Sequence, residues 1–453
     1  MPTASTAPDG TVFGPGSDGI GDSYYPKAGN GGYDVGNYDL DVRYDPAAGE
    51  LTGNATITAT ATANLTRFDL DFDGLPVTST TVNGQAAGRQ QQGGELVITP
   101  ATPLPTGATF TTVVVYRGKP SSHTEPALGA TGFLTTADGA VAIGEPQVAA
   151  SWFPVNDHPR DKATYTIRIS APSGLAALSN GTLVSKQPAA VAGYTTWTWR
   201  ESSPMAPYLA TMVVGNYRVL QSTHDGRPVV LAVHSSLPAS IDLELAQTPQ
   251  IVDYLASVFG PYPFDALGGI VINEPRVNFA LENQTRPVYA ATFFADPDPS
   301  WVLAHELAHQ WYGDSVSIND WSDIWLNEGF ATYAEWLWNE HRGVQTAQQA
   351  FDRLYALPDD AQLWQVPPAN LGLDHIFQAP GSEYARGAMT LQALRLTVGD
   401  DAFFRILRGW AAQKKDGVAT TRDFIAFAEQ VSGRQLDQLF QDWLYGTVRP
   451  PRP

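Results

Sequence analysis

Two hydrophobic rhythms divide the chain. From Tyr33 onward apolar and polar positions alternate, with Tyr38, Leu40, Val42 and Tyr44 separated by single polar residues. Runs with the same strand-like character follow at 55–61, 68–72, 95–99, 109–116, 163–170, 195–200 and 209–214, with turn signals such as Asn83-Gly84 and Asn180-Gly181 between them. Successive side chains of a strand point to opposite faces, so the alternation predicts half-buried strands, which Thr, Val and Tyr favour. Residues 33–216 are expected to form an all-β domain, sandwich- or saddle-like. Residues 1–32 are poor in hydrophobic residues and rich in Gly, Pro, Ser and Asp, which predicts a flexible lead-in. A pair of strands around 217–234 leads out of the β domain. The period then lengthens. Leu243, Leu245, Ile251 and Leu255 mark a helix over 241–259, stopped by Gly260-Pro261. Helical spacing returns at 325–338, 345–354, 383–396, 402–412, 421–431 and 436–445. Residues 217–453 are expected to form a mixed domain with a helical C-terminal lobe, so the fold class is multidomain α+β.

One stretch of this second half carries metal chemistry. His305, Glu306 and His309 form H-E-x-x-H, and Glu328 follows after eighteen intervening residues. Positions i and i+4 share a helix face, so His305 and His309 can present two imidazoles to one ion. Glu306, beside the first of them, can reach a water held there without itself being a ligand. Two histidines and a glutamate, with one position left for water, make a recognised catalytic zinc set. The flanks Val302, Leu303, Ala304, Leu307, Ala308 and Trp311 are apolar, so the helix is expected to be buried, where polar side chains need partners. Glu335 lies two turns beyond Glu328 on the same face, placed to hold a ligand histidine from behind. Ser315 and Tyr312 stand where a third-histidine zinc motif would need His and Gly, so the third ligand is a glutamate.

Composition narrows the partners. At 453 residues the chain exceeds one ordinary core. Its net charge of −19 argues against nucleic acid and anionic membranes as partners. No apolar run is long enough to span a membrane. With no cysteine there is neither a disulfide nor a thiolate metal site. No signal peptide is visible at the start. The Gly/Ser/Pro-rich opening favours a mature exported form, secreted or periplasmic, over a cytoplasmic one.

The segment 305–335, with Trp-Leu-Asn-Glu-Gly-Phe around Glu328, resembles the aminopeptidase N-like gluzincins of peptidase family M1, and the resemblance runs from about Tyr33 to Tyr445. It implies a β-rich N-terminal domain, a thermolysin-like catalytic domain and one Zn²⁺. It also implies a peptide substrate with a free N-terminus. Phe279-Ala280-Leu281-Glu282-Asn283 stands where the family carries G-x-M-E-N, which makes this segment part of the substrate cleft and Glu282 a ligand for the α-ammonium. Glu145, in Gly144-Glu145-Pro146, matches the residue that the N-terminal domain adds to the amine site. Tyr384 matches the tyrosine that stabilises the oxyanion. Glu306 would act as general base and then acid.

Three departures stand out. Phe279 and Leu281 replace the motif glycine and methionine, Arg386 replaces a lysine, and no room remains for a large C-terminal helical domain, which implies a short form with more open access. The alternatives are a thermolysin-like endopeptidase, an epoxide-hydrolysing relative, and a non-catalytic secreted zinc-binding module. The amine anchors oppose the first, and a ligand set of three rather than four opposes the last. Asp69, Asp71 and Asp73 imitate a calcium loop, but Thr80 stands where its closing glutamate belongs, so a strand is expected there. Trp311, Trp321, Trp325, Trp336 and Trp338 are expected to pack in the core.

Overall fold

A computed structural model describes residues 5–6 and 11–453. The alternating segments form the long strands Tyr33–Asp45, Glu50–Ala61 and Thr109–Gly118; burial alternates along each, and in the last it takes Phe110, Thr112, Val114 and Tyr116 and leaves Val113 and Val115 partly exposed. They lie adjacent in an eight-stranded sheet. Ala163–Pro172 joins it in parallel beside Tyr33–Asp45, pairing Ile167 with Leu40, and Tyr194–Met205 extends it further. Two five-stranded sheets complete the β unit. One of them joins Ala140–Ile143 to Met212–Gly215. Of the strand expected over 209–214, Leu209 instead closes a short 3-10 turn opened by Pro207, and the strand itself runs Met212–Gly215.

Tyr217–His224 begins a separate five-stranded sheet. Arg227–His234 pairs with it antiparallel, Leu267–Ile272 and Val288–Ala290 follow in parallel register, and the short strand Ala280–Leu281 pairs antiparallel at the edge. The helix expected over 241–259 is two helices, Ser240–Leu245 and Thr248–Phe259. Pro249 explains the break, because its ring is tolerated only in a first turn. The helices that matter most for chemistry are Ser300–Ala308, Trp325–His341 and Ala385–Val398, called below the histidine, glutamate and tyrosine helices. The last two touch backbone to backbone: a Cβ on Gly329 would lie 2.9 Å from the Cα of Gly387. Only glycine permits that approach. Among the described residues no helix is long and apolar enough to cross a membrane.

The lead-in is not flexible across residues 11–32. Asp22 is buried and accepts hydrogen bonds from the backbone N–H groups of Tyr24, Tyr25 and Trp321, with His158 Nε2 3.0 Å away. Ser23 donates to Asp320, and the Asn30 N–H donates to Asn156. Hydrophobic patterning misses this packing because the anchoring side chains are polar. Residues 1–4 and 7–10 of that expectation lie outside the described residues. Asp71 ends a strand, as expected, and its carboxylate accepts from Asn30 Nδ2 and the Asp157 N–H.

The two halves are tied together beside the histidine helix. Lys162, from the β unit, donates to the carbonyls of Asp314 and Ser315 at 2.7 and 2.9 Å. Asn180 Nδ2 donates to the Gln284 carbonyl, and the fully buried Arg286 reaches back to the Gly181 carbonyl. Residues 282–286 are thus pinned from both sides.

Candidate active site

The histidine helix is buried at every position but Trp301, which is partly exposed, and its i, i+4 spacing sets the rings of His305 and His309 4.9 Å apart. Glu328, in the first turn of the glutamate helix, reaches both: its Oε2 lies 3.1 Å from His305 Nε2 and 3.5 Å from His309 Nε2. One ligand atom from each of these three buried residues falls within 4.8 Å of the others.

The donor set fits a metal ion. Each imidazole spends its other nitrogen elsewhere: His305 Nδ1 lies 2.6 Å from Glu335 Oε1 and His309 Nδ1 lies 3.0 Å from the Tyr312 carbonyl. With Nδ1 carrying the proton, each Nε2 lone pair faces Glu328. Before an ion binds, Glu328 raises the pKa of both rings, and their positive charge in turn outweighs burial and holds Glu328 at about 2, so the carboxylate is ionised and an ion displaces the ring protons that face it.

Beside this set lies a cleft of about 470 Å³. Glu306 lines it, its pKa pushed up to about 8 by burial, with the two histidines opposing and Glu282 and Glu328 adding. A carboxyl poised there suits proton transfer at neutral pH. Glu282 enters from the loop after the edge strand. Tyr208 donates to its Oε1 at 2.7 Å, and Gln310, the residue after the second histidine, donates to its backbone carbonyl at 3.0 Å. Glu145 comes from the β unit. It is buried, its Oε2 has no hydrogen-bond partner, and burial with the nearby Glu282 charge lifts its pKa well above the ordinary range. Tyr384 caps the N-terminus of the tyrosine helix, its ring 6.1 Å from that of His305. Burial and the carboxylates of Glu328 and Glu145 push its pKa up, so its hydroxyl stays a neutral donor.

Not every expected cleft residue lines the cleft. Phe279 and Ala280 do, and the Phe279 ring occupies space a glycine would leave open. Leu281 and Asn283 do not. Leu281 is buried on the opposite side of the edge strand, and Asn283 donates to the Leu209 carbonyl. Alternation along the strand sends neighbours to opposite faces, so Ala280 and Leu281 cannot share one. Trp336, expected purely as core, lines the cleft, as do Phe293, Trp301, Thr332 and Arg353. Sequence reading also missed Tyr208 and Gln310. For Gln310 the available signal was a buried polar residue on an apolar helix end. For Tyr208 there was none.

Arg386 is buried and donates to the carbonyls of Trp364, Asp442 and Gly446. It fastens the C-terminal segment rather than entering the cleft, which accounts for a guanidinium with its several donors where the resemblance implies a lysine.

Comparison with known proteins agrees with this geometry. The pattern of the Peptidase family M1 domain matches residues 243–443, and that of the Peptidase M1 N-terminal domain matches residues 35–209. Human glutamyl aminopeptidase is 30% identical over 320 residues, which are 66% of this chain and 33% of that protein. Aminopeptidase N of Streptomyces lividans is 28% identical over 318 residues, 64% of this chain and 36% of the relative. The chain therefore spans about a third of the length of these curated relatives. The M1 zinc metallopeptidase of Deinococcus radiodurans superposes with a TM-score of 0.86 at 31% identity, covering 96% of this chain and 99% of that one. A variant of it has been solved bound to a Tyr-Ser-Ala substrate, and this chain is 32% identical to it. Through both domain patterns and a structural match over nearly its full length, the chain belongs to peptidase family M1.

Proposed function

We propose that the protein is a zinc-dependent aminopeptidase that removes residues one at a time from the free N-terminus of peptides. The observation that carries this reading is the convergence of Glu282 and Glu145, two buried carboxyls from different domains, on the cleft beside the metal set. Glu145 Oε2 has no partner, and a buried carboxylate without one is costly. A substrate ammonium supplies the missing cation, and internal peptide bonds carry none.

His305, His309 and Glu328 would hold one Zn²⁺, which when bound supplies a Lewis acid that acidifies water and polarises a carbonyl. The residues of the chain do the rest. Glu282 and Glu145 fix the substrate by its amine, so the first peptide bond lies over the histidines. Glu306 accepts the proton of the attacking water and returns it to the departing amine. The Tyr384 hydroxyl donates to the oxygen that gains charge as the carbonyl is attacked. Glu335 holds His305 in its ligating orientation.

The test is hydrolysis of free-amino and N-acetylated versions of the same aminoacyl reporters, with and without a zinc chelator. Cleavage confined to the free-amino set, lost with chelator and restored by zinc, is the expected outcome. Equal cleavage of the acetylated set would remove the amine-anchor roles and make the protein an endopeptidase.

A further inference from the structure

The charged side chains lining the cleft are unequally shared. Glu145, Glu282, Glu306, Glu328 and Glu335 are acidic, and among the described residues Arg353 is the only lysine or arginine lining it. Arg353 comes from a helix packed on the tyrosine helix, where Gln392 donates to Gln348, and so from a different wall than the edge strand and β unit that bring Glu282 and Glu145. The far end of the cleft follows from the other helices. Glu282 clusters with Glu306 and His309, so the amine end of the cleft lies at the C-terminal end of the histidine helix. Trp338 Nε1 donates to Ser300 Oγ at 3.1 Å, so the glutamate helix finishes where the histidine helix starts and the two run antiparallel. Trp301 and Trp336 therefore line the far end of the cleft, about 12 Å from His309 at 1.5 Å per residue. The next helix, Ala347–Tyr355, contributes Arg353 and Leu354 to the same lining.

The guanidinium of Arg353 is unengaged. It is exposed, and among the described residues it makes no hydrogen bond or ion pair. Its neighbours differ: Arg342 pairs with Asp298, Arg395 with Asp400 and Arg449 with Asp359. The adjacent carboxylate, Asp352, is taken by Gln348 and Arg452.

We propose that Arg353 is a specificity-determining residue that binds a carboxylate on the leaving-group side of the substrate. The inference rests on the aminopeptidase reading, which sets the direction of the peptide in the cleft. A substrate held by its ammonium at Glu282 and Glu145 extends its second residue past Trp301 and Trp336. Of the Asp, Glu, Lys and Arg side chains lining the cleft, all are carboxylates except Arg353, whose planar fork matches a substrate carboxylate in two-point contact. Two sources carry that chemistry: the terminal carboxylate of a very short peptide, and an Asp or Glu side chain in a longer one.

The deciding measurement is a ratio. The kcat/KM for a free-acid dipeptide is divided by that for the same dipeptide amidated, in the wild type and in Arg353→Ala and Arg353→Lys. The ratio should exceed one in the wild type, fall about fivefold in Arg353→Ala through KM, and be partly restored in Arg353→Lys. It should also shrink toward one in about 1 M salt, where the screening length is about 3 Å. A merely structural arginine would move numerator and denominator together. C-terminally amidated pentapeptides with Glu or Gln second assign the source: an Arg353-dependent advantage for Glu identifies the side chain, and its absence, with the dipeptide ratio intact, identifies the chain terminus. A dipeptide ratio of one, or one unmoved by Arg353→Ala, together with no Arg353-dependent advantage for Glu over Gln in the pentapeptides, overturns the proposal. Loss of the aminopeptidase reading shows separately, as no turnover of any free-amino substrate by the zinc-loaded enzyme. Calorimetric binding of the acid and amide dipeptides to Glu306→Gln, with and without Arg353→Ala, needs no turnover and still decides the contact.

Discussion

Two clusters of buried carboxyls, built alike from acidic side chains, are finished in opposite ways. Asp71, Asp157 and Asp161 lie where the lead-in meets the β unit. Each accepts a backbone N–H: from Asp157 itself to Asp71, from Ala150 to Asp157 and from Val35 to Asp161. Asn30 and Asn156 add side-chain donors, and of the three aspartates only Asp157 keeps a buried oxygen, Oδ1, without a partner, while its Oδ2 is held. Glu145, Glu282 and Glu306 ring the cleft, where Tyr208 is the single side-chain hydroxyl that reaches a carboxyl oxygen of Glu282, and Glu145 Oε2 has nothing. Burial raises the pKa in both places. The rise reaches about 7 for Asp157 and about 8 for both Asp161 and Glu306, and goes well beyond the ordinary range for Asp71 and Glu145, so the clusters differ in their donors and not in the direction of the shift. A carboxyl whose donors come from the protein is complete without a ligand. One left short of donors and facing a cavity awaits a cation or a proton.

The contrast breaks most sharply at Glu306. Glu306→Gln keeps the shape and loses the proton acceptor, so kcat should fall about 10³-fold, while the melting temperature stays within a few degrees of the wild type. A kcat within tenfold would mean that another group takes the proton. The closed cluster should do the reverse. Asp161→Ala strands the Val35 N–H and one of the two hydrogens of Asn156 Nδ2, the other still reaching the Asn30 carbonyl, at a cost of about 2–4 kcal/mol. Denaturant unfolding should register that loss, with turnover per folded molecule unchanged.

The next effect is smaller and depends on pH. Unfolded, Asp161 ionises in the ordinary carboxylate range, but folded it holds its proton up to about pH 8. Between roughly pH 4 and 8 the unfolded chain has released a proton that the folded chain keeps. The stabilisation from this group is full below that window and is lost as pH rises through it, by up to about 1.4 kcal/mol per pH unit. Asp161→Asn cannot ionise, so its melting temperature relative to the wild type should climb steadily from pH 5 to pH 8. A constant difference would show that Asp161 is already ionised when folded.

What the sequence revealed and what it hid divide along similar lines. Strands such as Tyr33–Asp45 and Glu50–Ala61 were legible because one face is buried and the other wet. Ala140–Ile143 was not, being buried on both faces and so without alternation. His305, His309 and Glu328 stood out because a helix turns local spacing into spatial convergence. The tie between Tyr208 and Glu282 joins residues 74 positions apart, and no period in the chain encodes it. Arg353 was hidden for the opposite reason: a surface arginine has no pattern until the cleft beside it is seen. The packed lead-in escaped notice because Asp22 and Asn30, both buried, are residue types that usually mark solvent.

The smallest expected effect separates the clusters most cleanly. Glu145 is buried without a donor for Oε2, and burial with the Glu282 charge pushes its pKa up, so folding of the ligand-free protein requires either a costly buried charge or the uptake of a proton. Glu145→Gln removes that requirement. Stability should therefore rise, by about 1 kcal/mol near neutral pH, and the gain should vanish near pH 4.5, where the unfolded glutamate is itself half protonated. The same change removes half of the amine anchor, so KM for free-amino substrates should rise about tenfold, with kcat less affected because Glu145 is remote from the proton being moved. A more stable but weaker-binding variant would show that this carboxyl is kept for the substrate at the expense of the fold. A less stable one would place Glu145 with the closed cluster after all, and its unpaired oxygen would then need a partner from within the protein.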